Sequence, residues 1–144
     1  MGTWSHDAFG NDEACDCALA LARGRDLSAV EGALDDVAGF PPHEYLETPE
    51  ATQALVAAEA VARLRGHPGE RDACSKPVDD WVARTQLAAS DALAARAVEA
   101  IERILGAASE LADLWGDSPD DDARWRASMH ALKVRLLAPA RPVA

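Results

Sequence analysis

The chain has little aromatic content, few cations and no long apolar run, and each shortage closes off a class of function. Lys and Arg number 14 against 25 Asp and Glu, a net charge of −11. Such a chain meets a phosphate backbone with repulsion instead of counterion release, so nucleic acid is not an expected partner. No stretch is apolar for the roughly 20 residues that a bilayer-spanning helix needs, and the first ten residues lack a basic-then-apolar leader pattern. The expected location is therefore the cytoplasm, with no membrane partner. Glycine-rich phosphate loops, a nucleophile elbow and a zinc-protease histidine pair are all missing. Nor does any alternation of β-branched residues suggest a sheet, or any fixed period suggest a repeat array. No cofactor is implied.

Cysteine is sparse too. Of the three, Cys15 and Cys17 stand too close together for an ordinary structural bridge, and Cys74 lies alone near Arg71 and Lys76. All three read as reduced thiols, Cys15 and Cys17 as small buried hydrophobes. Two residues apart on a helix, they point roughly 200° away from each other and cannot easily share one metal.

What the chain does have is a hydrophobic content of 49% with 27% charged residues in 144 residues, enough for one domain with a real core. Abundant Ala, Arg, Asp and Val suggest a GC-rich bacterial genome. The stretch 50–65 is alanine, leucine and valine on nearly every side, which marks a helix buried by several neighbours. Thr48 is placed to cap it, Pro49 suits its first turn and Gly66 its end. Helical spacing and punctuation predict further helices from Asn11 or Asp12 to Gly24, from Ser28 to Gly39, from Pro77, from Ser90, over 109–115 and from Ser118 to Pro139. Ser28 and Glu31 have the spacing of a capping box. The connection 67–76 reads as a solvated loop and the best candidate for disorder, residues 139–144 as a frayed tail, and Trp4 and Phe9 as an aromatic lid over residues 1–11. The expectation is a single all-α domain, 1–138, with six or seven helices around the alanine-rich one.

The N-terminal residues Gly2, Thr3, Trp4, Phe9, Asn11 and Asp12, then Glu59 on the central helix, and Ser109, Glu110, Leu111, Leu114, Trp115 and Trp125 towards the end, together resemble the domain of unknown function 4259 family. That resemblance runs over almost the whole domain. It implies a fold and no particular activity.

Two constellations carry functional expectations. His6, Asp7, Asp12, Asp16 and Glu59 are types that can hold a divalent metal if they converge, a metal-dependent hydrolase or metal-binding reading. Against it, Asp12 suits a helix start, and Glu59 stands four residues before Arg63 in the favourable order for an intrahelical pair. The second constellation, Asp117, Asp120, Asp121 and Asp122, exceeds what one helix start requires and forms a candidate docking patch for a basic protein. With no catalytic signature present, a non-catalytic protein-binding module of immunity-like or regulatory kind is the leading expectation.

Overall fold

A computed structural model describes residues 12–141, and within them the chain forms seven helices and no strand. They are α1 (Asp12–Leu21), α2 (Ser28–Ala38), α3 (Thr48–Leu64), α4 (Lys76–Thr85), α5 (Asp91–Leu105), α6 (Glu110–Trp115) and α7 (Pro119–Leu137). The segment expected as an aromatic lid, with Trp4 and Phe9, lies outside the described residues.

The alanine-rich helix is the hub. α3 packs against all six other helices, and every one of its residues from Ala54 to Leu64 is buried. Alanine makes this possible because a side chain of one carbon lets neighbouring helices approach on several sides at once. The larger side chains come from those neighbours: Trp81 of α4, Ile101 and Ile104 of α5, and Trp125, Met129, Leu132 and Leu136 of α7 are all buried.

Several helix starts follow the local signals. Ser90 accepts a hydrogen bond from the Leu93 amide, and Ser109 accepts one from Ala112. Gly66 ends α3 with φ +84°, where a Cβ would fall 2.5 Å from the Arg141 carbonyl oxygen, so the turn requires glycine twice over. Other starts are satisfied differently. Ser28 forms no capping box with Glu31; its amide instead donates to Asp26 Oδ1 at 3.0 Å. Thr48 does not cap α3 with its own side chain, and its amide donates 2.9 Å to Glu110 Oε1, a carboxylate supplied by α6. Beside that contact, Leu46 exchanges backbone hydrogen bonds with Ala108 and Glu110, which pins the 40–47 connection to the start of α6. Arg103 holds the same junction. Its guanidinium donates to the carbonyls of Pro41, Glu44, Ala107 and Ala108 and lies over the Phe40 ring.

Candidate functional site

Glu59 and Arg63, four residues apart on α3, form the expected intrahelical ion pair, but they are the middle of a longer network. Arg135 of α7 grips Glu59 with both terminal nitrogens, at 3.1 Å to Oε1 and 2.7 Å to Oε2. Arg63 donates from Nη1 to Glu59, from Nε to Asp79 Oδ1 of α4 at 2.6 Å, and from Nη2 to the Glu70 carbonyl at 2.6 Å. Asp79 in turn accepts from the buried Ser75 hydroxyl at 2.8 Å. With Glu59 4% and Arg63 2% exposed, these charges have left water almost completely, a cost that their mutual pairing offsets. The network therefore fixes the register of α3, α4 and α7.

The same guanidinium groups order the connection after α3. Arg135 donates to the His67 carbonyl at 3.2 Å, and a Cβ on Gly69 would come within 2.9 Å of its guanidinium. The 67–76 stretch, expected as a solvated candidate for disorder, is thus held from beneath by Arg63 and Arg135, with residues 70–73 and Lys76 exposed. Residues 139–141, expected as the start of a frayed tail, cross the end of α3: His67 Nε2 lies 2.6 Å from the Pro139 carbonyl, and Arg141 bonds the carbonyls of Arg65 and Gly66. Between these segments and α4 opens a polar cleft of about 790 Å³, lined among others by Arg63, Arg71, Asp72, Lys76, Asp79 and Arg141.

Of the residues expected to converge on a metal, His6 and Asp7 lie outside the described residues. Asp12 and Asp16 are exposed on α1, and both Glu59 oxygens face guanidinium nitrogens. Among the described residues no cluster of three or more His, Cys, Asp or Glu has a metal-holding arrangement. A carboxylate clamped by two arginines is a poor metal ligand, since that role would take it from both guanidinium groups.

The reading of three reduced thiols is corrected. Cys15 and Cys74 are joined in a disulfide, with Cα atoms 4.8 Å apart across a sequence separation of 59. Cys15 and Cys74 are 59 residues apart, and nothing local shows that α1 ends up beside the turn before α4. Cys17 remains a free thiol. Burial raises its pKa to about 11, with the charges of Glu13 and Asp16 adding to the effect.

At the opposite end of α6, the acidic run occupies the corner between α6 and α7. Asp122 pairs with Arg126 at 3.1 Å, while Asp117 and Asp120 are exposed and form no ion pair among the described residues. Two large side chains are exposed along α6: Leu114 at 56%, on the helix just before Asp117, and Tyr45 at 51%, held against Asp113. The Tyr45 hydroxyl donates 2.8 Å to Asp113 Oδ2, and that bond raises the phenol's pKa. Tyr45 and Asp113 were not legible as part of this surface, being 68 residues apart. Trp115 and Trp125 stack beneath it with ring centroids 6.3 Å apart.

The class defined by these features is an all-α domain wrapped around a single alanine-rich helix, with a largely buried ionic network and an acidic corner. Residues 2–128 match the domain of unknown function 4259 family, and the chain belongs to it. No curated protein and no solved structure matches the chain significantly. Among the described residues no helix is long and apolar enough to cross a membrane.

Proposed function

We propose that the protein is a non-catalytic binding module that docks a basic protein partner on the corner between α6 and α7, in an immunity-like or regulatory role in a bacterial cytoplasm. The observation that carries this reading is the pair of solvent-facing carboxylates, Asp117 and Asp120, which form no ion pair among the described residues, with Leu114 and the Asp113-bound Tyr45 exposed along α6. Acidic groups steer a cationic partner during encounter, and a tyrosine beside an aliphatic side chain is the kind of anchor that supplies affinity once docked. By contrast, the polar groups of the ionic core are already consumed by one another.

The test is the association rate with a basic protein encoded next to this one. The double variant Asp117→Lys, Asp120→Lys is expected to slow association about tenfold at low salt, with a smaller effect at about 0.15 M, where charges beyond about 8 Å are screened. Thermal stability should hold, because both groups are exposed. A rate insensitive to both salt and substitution sinks the proposal.

A further inference from the structure

The charges around the polar cleft beside α4 are unequally used. Each of its three carboxylates is already engaged by the protein. Asp72 Oδ1 accepts from the amides of Cys74 and Ser75, both at 2.9 Å, Asp79 accepts from Arg63 on one oxygen and Ser75 on the other, and Asp80 pairs with Lys76 at 3.0 Å. Two guanidinium groups on the same cleft keep donors unspent. Arg71, whose side chain is 63% exposed, meets Asp79 only at 4.0 Å and makes no hydrogen bond among the described residues. Arg141 gives its Nε to the Gly66 carbonyl at 2.8 Å, and its two terminal nitrogens have no hydrogen-bond or ion-pair partner among the described residues.

Both side chains rise from anchored backbone. The Arg141 amide donates 2.9 Å to the Arg65 carbonyl, and a Cβ on Gly66 would fall 2.7 Å from Arg141 Cγ, so the stem crosses the end of α3 only because residue 66 is glycine. Arg71 stands between Glu70, whose carbonyl accepts from the buried Arg63, and Asp72, which holds the turn into α4. Water can serve the leftover donors. A carboxylate or phosphate serves them better, because charge-assisted bonds to a guanidinium fork are about twice as strong as neutral ones. Pro68, Val82 and Ala83 give the cleft an apolar wall as well, and its volume of about 790 Å³ is that of a small-molecule site and more than a bare inorganic ion needs.

We propose that this cleft binds a small organic anion, a carboxylate or a phosphate ester, with its charged group held by Arg71 and Arg141 and its apolar body against Pro68, Val82 and Ala83. The field of a chain with net charge −11 repels anions at large, so retention depends on these local donors. The site shares no residue with the acidic corner, and each reading stands or falls without the other.

The test is titration of the full chain followed by amide NMR, with benzoate and phenyl phosphate as probes that share a ring and differ in the anionic group. At least one should bind saturably, with a Kd on the order of 1 mM, and shift the amides of 66–72, 76–83 and 141; whichever binds more tightly identifies the anionic group. Arg71→Ala should weaken that binding about tenfold, the scale of one hydrogen bond to a charged group, and Arg141→Gln should do the same. The thermal stability of Arg71→Ala should match the parent's, because the side chain is exposed. Arg124→Ala, at an exposed arginine that does not line the cleft, should leave binding unchanged. Inorganic phosphate, which lacks an apolar body, and benzylammonium, which carries the opposite charge, should each bind about tenfold more weakly or not at all. Saturable binding by neither aryl anion would overturn the proposal. So would binding that survives Arg71→Ala intact, or that Arg124→Ala weakens equally. Benzylammonium binding as tightly as the anions would show that the aspartates govern the cleft, and inorganic phosphate binding as tightly would remove the apolar wall from the site; either result overturns it.

Discussion

Glu59 shows how one side chain can look functional and be structural. Its carboxylate compensates two guanidinium groups, and removing that charge leaves Arg63 buried without one of its carboxylate partners. Glu59→Gln is expected to destabilise the fold by about 3–5 kcal/mol in urea titration, the range for breaking a buried pair from one side. Replacing the whole set, Glu59→Leu with Arg63→Met, Asp79→Asn and Arg135→Met, should recover much of the loss, because none of these four charges is then left unpaired. A Glu59→Gln protein as stable as the parent would show that water reaches the network. Cys17 gives a second prediction. The folded thiol keeps its proton to about pH 11, while an unfolded one ionises near 9.0. Over that window the unfolded state binds fewer protons, so stability falls as pH rises, and below pH 9 this group contributes no pH dependence. Alkylation of Cys17 in the oxidised protein should follow an apparent pKa near 11; reaction governed by a pKa at or below 9.0 would place the thiol in water.

Helices that announce themselves identically in sequence are secured in different ways. Ser90 and Ser28 both have the right identity and position for an N-cap, yet only Ser90 accepts a hydrogen bond from its own helix. Ser90→Ala should therefore cost about 1 kcal/mol, and Ser28→Ala only a few tenths, measured as the shift in denaturant midpoint. Equal effects would mean that neither side chain caps. The α3 start is a third case, since its amide is satisfied by Glu110 from another helix, a partner 62 residues away. That is why caps were legible where the partner is three residues on and illegible where it is supplied by packing. The same holds for Arg135. In sequence it is a basic residue in the last turn of α7, where a cation complements the helix dipole, and no local signal distinguishes that role from the grip on Glu59.

For the whole molecule, the core is continuous from Ala14 to Leu136 and its large side chains come from the periphery inwards. Trp125, 2% exposed, is part of it, whereas Trp115 is only partly buried and lies stacked on Trp125. Trp125→Ala is expected to lower stability by about 3–5 kcal/mol, and Trp115→Ala by less, because part of its surface already faces solvent. Calorimetry of the two variants checks the order, and a larger loss at Trp115 would show that the core boundary is misplaced.

The sequence by itself determined an all-α chain of six or seven helices, the alanine-rich helix as their hub, the family and the acidic run around the start of α7. All of these depend on spacing and composition over a few turns, where 3.6-residue periodicity and cap residues act without outside help. Only the tertiary structure decided which charges meet in the core, which thiols bond and which residues surround the acidic corner. Arg135 and Glu59 are 76 residues apart and Cys15 and Cys74 are 59 apart, so their meeting depends on how α1, α4 and α7 dock around α3. Packing of whole helices sets those distances, and no local propensity encodes them.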